Sequence, residues 1–190
     1  MKSFAPVALF LMAISSSALA HILPAADMLD GFYTHHIDEN GVNQTQYHGT
    51  VPDGTLASNP VTMPLTKRAL ISSAKFLTKR RQEHDYDNGV SCWTDSLLNL
   101  DDMISAQSGF ENWIGGGRTA SGTNSYKSGT VVVYWCAYDT DTETSSSFAS
   151  DMNLLTNDGC GNTTPGWVNH GGYGRGGSSS GRDQSSQPFC

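Results

Sequence analysis

Thr130-Val131-Val132-Val133-Tyr134-Trp135-Cys136-Ala137-Tyr138 is the stretch on which the fold turns. β-branched and aromatic side chains fill all but two of its positions, the composition that fits a pleated surface best. No polar residue alternates with the apolar ones, so the run reads as a central strand covered on both faces. By strand alternation Val131, Val133, Trp135 and Ala137 share one face, and Val132, Tyr134, Cys136 and Tyr138 share the other.

Helical signals flank this strand. Upstream, Thr94 to Gln107 reads as a helix capped by Thr94 or Asp95. Leu97, Leu98, Leu100, Met103 and Ile104 form one broad apolar face, and Ser108-Gly109 marks the end. The Gly/Ser/Thr-rich stretch from Gly115 to Gly129 reads as a flexible connection. Downstream, Ser145-Ser146-Ser147 offers caps for a second helix over Phe148 to Asn157. Its inward stripe is Phe148, Met152 and Leu155, and Gly159 is its stop. A further strand is expected near Trp167 to Tyr173, and the low-complexity tail 174–188 reads as mobile, with Cys190 tying down its end. The fold class that follows is α+β, a small disulfide-bonded sandwich of two helices on an antiparallel sheet.

The wider chain divides at chemical signposts. Lys2, an apolar run from Phe4 to Ile14 and the small-residue ending Ala18-Leu19-Ala20 give residues 1–20 the pattern of a secretory signal peptide. The apolar run falls short of the roughly 20 residues that span a bilayer, so membrane insertion is not expected. Residues 21–81 read as a pro-segment without Cys or Trp, whose basic residues gather at its end as Lys67-Arg68 and Lys79-Arg80-Arg81. Adjacent cations of this kind are what a kexin-type processing protease recognises through an acidic cleft. Residues 82–190 hold all four Trp, all four Cys and 16 of the 20 Gly, with four basic residues against 13 acidic.

Composition narrows the function. Across 190 residues the net charge is −7, which argues against a nucleic-acid partner held by bulk charge. Apolar residues at 37% and charged residues at 15% exclude a coiled coil and a polytopic membrane protein. An even set of cysteines (Cys92, Cys136, Cys160 and Cys190) in a chain read as secreted implies two disulfides, with three pairings open. Each bridge is expected to add about 2–4 kcal/mol. Asn43-Gln44-Thr45 and Asn162-Thr163-Thr164 are glycosylation sequons, at Asn43 and Asn162.

The order of these pieces has a counterpart among known families. Ser91-Cys92-Trp93 before a helix, VVVYWCAY at 131–138, a helix ending in NDGCG at 157–161, PGWVNHGGYGR at 165–175 and a final Cys190, with DGFYTHHIDENGV at 30–42 upstream, resemble small secreted fungal proteins. The family they are most similar to is the fungal necrosis-inducing extracellular effectors, related in fold to killer-toxin-like α/β sandwiches. That resemblance implies a secreted effector, virulence factor or toxin whose partner is a host or competitor cell-surface protein or a cell-wall glycan.

The sequence also holds residues suited to catalytic or metal chemistry. Cleavage after Ala20 would leave His21 as an N-terminal residue able to chelate copper, with His35, His36 and His48 nearby. That region, however, lacks the Cys and Trp that would make a rigid site. A hydrolase of guanyl-ribonuclease type needs a carboxylate base, a His acid and an Arg for phosphate charge. Glu111 or Glu143, His170, and Arg118 or Arg175 are the candidates. Asp139, Asp141 and Glu143 lack the Gly and the distant bidentate Glu of an EF-hand loop. No catalytic residue, metal ligand or cofactor is therefore assigned. The contact surface is expected at Trp167, His170 and Tyr173 or along Gly115 to Gly129, where aromatic side chains and glycines coincide.

Overall fold

A computed structural model describes residues 28–39, 43–50, 61–63, 83–85, 89–157, 159–171 and 177–190. The segment 1–20, His21, Lys67, Arg68, Lys79, Arg80, Arg81, Tyr173 and Arg175 lie outside the described residues. In chain order the elements are β1 (Gly31–Ile37), β2 (Asn43–Gly49), β3 (Val61–Met63), β4 (Glu83–Asp85), β5 (Val90–Trp93), α1 (Leu100–Ile114), β6 (Arg118–Ser128), β7 (Val131–Glu143), α2 (Ser145–Asn157), β8 (Gly166–His170) and β9 (Ser178–Gln184). The described strands form one sheet in the order β3-β2-β1-β6-β7-β9-β8-β5-β4, and each neighbouring pair is antiparallel. The chain is thus a strand-dominated α+β protein with two helices and two disulfides.

The Val-rich stretch is the middle of this sheet. β7 pairs with β6 on one side and β9 on the other, and Val131 to Ala137 are all buried. Alternation holds as the sequence implies. Val131, Val133, Trp135 and Ala137 join Met103, Phe110, Phe148, Met152 and Leu155 of the helices in one core. Val132, Tyr134 and Cys136 form a second, smaller cluster beneath Phe189.

Helix α1 departs from its expected face and limits. Asn99 caps it, its Oδ1 accepting from the Asp102 N–H at 3.0 Å. The buried stripe is Met103, Ala106, Phe110 and Ile114, an i, i+3, i+7, i+11 pattern, whereas Leu97, Leu100 and Ile104 are exposed. The helix runs through Ser108-Gly109, and the glycine there serves packing rather than termination: the Tyr126 ring lies where a Cβ would overlap it. It stops at Gly115, whose φ of 51° suits glycine and whose N–H donates to Glu111 O at 2.9 Å.

Two segments read as loose from composition are strands. Within Gly115 to Gly129 lies β6, eleven residues long and buried from Thr123 to Lys127. Within the Gly/Ser/Arg tail lies β9, an interior strand between β7 and β8 whose Ser178 to Asp183 are all buried. Small side chains are what these positions require. Gly181, for example, faces the Tyr134 ring and Gly166 O so closely that a Cβ would collide with both. The serines look like linker residues, but burial against β7 decides their state.

Cys92 bridges Cys160, tying β5 to the turn after α2, and Cys136 bridges Cys190, tying β7 to the chain end. The pairing left open by the sequence is thereby fixed. The N-terminal strands extend the sheet from β6 outward. Residues 21–81, read as a segment apart from the compact domain, therefore supply β1, β2 and β3 to the same sheet.

Candidate functional site

Strand alternation governs where the expected contact residues fall. In β8, Val168 and Gly166 face the helices and Trp167 faces the opposite side. His170 lies three residues beyond Trp167, so it returns to the helical side and meets α2. The structure thus separates Trp167 and His170 into two sites rather than one.

The first site is an acid–base cluster at the ends of β7 and β8. His170 Nε2 lies 2.8 Å from Asp151 Oδ2, with the imidazole about half exposed (48%) and the carboxylate nearly sealed (6%). That hydrogen bond, aided by the charges of Asp151, Glu143 and Asp141, raises the His170 pKa against the opposing effect of burial. Glu143 is buried at the end of β7, and its own pKa is raised by desolvation. It accepts from the Thr144 N–H at 3.0 Å and from Ser180 Oγ at 3.2 Å. Thr144 Oγ1 in turn accepts from the Ser147 N–H at 3.1 Å and caps α2. Glu143 and His170, both singled out from the sequence, are brought near the same aspartate. Asp151, which no sequence signal singled out, is the group that hydrogen-bonds the ring.

The other described ribonuclease candidates, Arg118 and Glu111, are engaged elsewhere. Arg118 places its guanidinium 4.9 Å above the Phe32 ring, and Glu111 Oε1 accepts from Gln107 Nε2 at 3.0 Å within α1. Arg182, which composition placed in a loose tail, is fully buried. It donates to Thr164 O at 3.2 Å, to Thr156 Oγ1 at 3.0 Å and to Gly161 O. Burial brings its pKa down to about 10, so it remains a cation, and it ties the last turn of α2 to the loop that follows. Nothing in the periodicity flagged this residue; a lone Arg amid Ser and Gly was the only signal.

The second site lies on the sheet face away from the helices. Trp93 and Trp167 pack with ring centroids 4.9 Å apart and planes at 48°, both partly exposed. Next to them Phe189 stacks on Tyr134 at 4.8 Å, held there by the Cys136–Cys190 bridge, and Tyr138 and Trp167 pack against this cluster. Trp93 was not among the residues expected at the contact surface. Its partnership with Trp167 comes from the pairing of β5 with β8, which sets Ser91 opposite Trp167.

Asn162 is exposed in the turn after Cys160, as an acceptor for a glycan must be, while Asn43 at the start of β2 is partly buried with Oδ1 shielded from solvent. Among the described residues no group of three or more His, Cys, Asp or Glu is placed to hold a metal ion, and no helix is long and apolar enough to cross a membrane. The fold and these two sites define a disulfide-bonded, sheet-centred α+β protein. No protein-family model, curated protein or solved structure matches the chain.

Proposed function

We propose that this is a secreted, kexin-processed protein of fungal effector or toxin type, acting by binding a host or competitor cell-surface protein or a cell-wall glycan. The observation that carries the reading is the partly exposed Trp93–Trp167 pair on the sheet face opposite the helices. Aromatic rings held rigidly at a surface supply large contact area at little entropic cost, and they stack on sugar rings and on protein side chains alike. The two disulfides fit an oxidising destination, where such bonds form and persist. The signal pattern of residues 1–20 and the dibasic Lys67-Arg68 and Lys79-Arg80-Arg81 support the export and processing route. The test is binding of purified protein to host tissue, competitor cells and their isolated wall polysaccharides. Trp167→Ala is expected to weaken capture at least about tenfold, measured at a temperature where the variant's melting curve shows it fully folded. Equal capture by the variant overturns the assignment of this surface.

Glu143 and His170 around Asp151 favour a second reading, acid–base hydrolysis of RNA. In that reading His170 is the proton donor and Glu143 the base. It requires RNA cleavage by the intact protein that is lost in His170→Ala. Absence of cleavage by the wild-type protein removes it.

A further inference from the structure

The β1–β2 hairpin is built into the sheet yet shares no covalent cross-link with it. β1 is an interior strand, paired with β2 on one side and with β6 from Gly31 opposite Lys127 to His35 opposite Thr123. On the helical face Phe32 is fully buried, stacks on Trp113 at 4.8 Å and 12°, and lies 5.8 Å from Phe110. On the opposite face His35 is buried, with Nδ1 2.9 Å from Thr45 Oγ1 and Nε2 2.9 Å from Ser125 Oγ. Phe189 of the stapled C-terminus meets the same ring edge-on at 6.0 Å.

Charge closes the junction. Lys127 of β6 is nearly sealed, and its Nζ lies 2.8 Å from Asp30 Oδ1, an oxygen that also accepts from the Gly129 N–H at 2.9 Å. Tyr126 Oη donates to Thr50 O at 2.9 Å at the same open end of the hairpin. Removing residues 28–50 would bare the edge of β6 from Thr123 to Lys127, open the core at Trp113 and leave the Lys127 ammonium without its carboxylate. All four cysteines follow residue 81 in sequence, and both bridges stay within that part. The dibasic clusters fall between β3 and β4, the two outermost strands of the sheet, so a cut there severs no described strand pairing.

We infer that proteolytic processing leaves the β1–β2 hairpin in place, making the exported protein a non-covalent two-chain assembly in which the N-terminal fragment is a permanent strand donor to β6. The inference rests on the processing step proposed above. In that step water hydrolyses the peptide bond after Arg81, leaving a carboxylate on Arg81 and an ammonium on Gln82. The hairpin then acts as a structural subunit rather than a discarded leader, and it occupies the β6 edge against any other strand.

The experiment uses the whole disulfide-intact precursor, cut with a kexin-type endoprotease and read by native mass and gel filtration. In native buffer the two fragments are expected to travel together in a one-to-one ratio. In concentrated guanidinium without thiol they are expected to separate. A cut chain whose N-terminal fragment leaves in native buffer overturns the retention, and a chain the protease leaves whole overturns the processing step on which it rests. Neither readout involves a binding target, so a failure of target recognition is distinguishable from both. Asp30→Asn, which keeps the hydrogen bond to Gly129 but removes the charge facing Lys127, is expected to speed fragment release about threefold, the half-exposed carboxylate being screened by solvent, and leave the fold of the uncut chain intact. Unchanged release from this variant would overturn the role given to the ion pair.

Discussion

The sheet is completed from two directions by opposite means. Its C-terminal side, β5 to β9, is braced by Cys92–Cys160 and Cys136–Cys190. Its N-terminal side, the hairpin of β1 and β2, contains no cysteine and is held by a ladder to β6, one buried phenylalanine, a buried histidine and one ion pair. Bridges limit the unfolded chain wherever it goes, whereas the hairpin contacts act only while the strand is docked. The contrast teaches that a segment's covalent independence does not measure its structural independence.

The contrast is open to breakage, and the largest effect is expected on the braced side. Replacing Cys136 and Cys190 together by Ser opens a bridge spanning 54 residues, for which the loop-closure relation gives a loss of about 4 kcal/mol. Chemical denaturation checks it, and an unchanged midpoint would mean that the stapled tail contributes nothing. Next comes Phe32→Ala, which empties a sealed site between Trp113 and Phe110 and is expected to cost about 3–4 kcal/mol. A loss below about 1 kcal/mol would show that the hairpin only decorates the sheet.

Acid should act on the same hairpin. Burial pushes the His35 pKa down to about 3, with His36 adding a smaller effect, while an unfolded histidine titrates near 6.5. Between these values the unfolded chain binds a proton that the folded one refuses. The stability associated with neutral His35 is therefore present above about pH 6.5 and is lost as pH falls towards 3, by about 1.4 kcal/mol per pH unit. His35→Gln should flatten that slope in pH-dependent unfolding, and an unaltered slope would remove His35 as its source.

The two smallest effects sharpen the boundary between site and scaffold. His170 has a raised pKa, so its link to Asp151 stabilises below the unfolded histidine value and fades as pH rises through the folded one. His170→Ala should cost about 1 kcal/mol at pH 6, discounted for the half-exposed ring, and less at pH 8. Leu100→Ser, at an exposed position of α1, should change stability by less than about 0.5 kcal/mol. A larger loss would show that this side chain is covered in solution.

Much of the C-terminal half was legible because its signals are local. The run 130–138 declared a doubly covered strand, Phe148, Met152 and Leu155 declared an inward stripe, and the cysteine count declared two bridges. Leu97, Leu100 and Ile104 misled because an apolar stripe at helical spacing does not say which side the sheet lies on. The sheet took the side of Met103, Ala106 and Phe110, which accommodates the Tyr126 ring over Gly109. Of the site residues, His170 and Trp167 were visible as polar and aromatic side chains near glycines. Asp151 and Trp93 were not, because their roles come from a helix crossing a strand end and from β5 pairing with β8.

The sequence by itself determined the central strand, the presence of two helices, the even set of cysteines and the basic clusters that punctuate the chain. Each of these depends on chemistry between near neighbours along the chain. Only the tertiary structure decided that Ser178 to Gln184 is an interior strand, that Arg182 is buried at the end of a helix, and that the cysteine-free hairpin belongs to the sheet. Serine, glycine and a lone arginine carry weak intrinsic preferences, so their state is set by what packs against them. Backbone pairing between residues about 90 apart, as in β1 with β6, leaves no periodic mark on either partner.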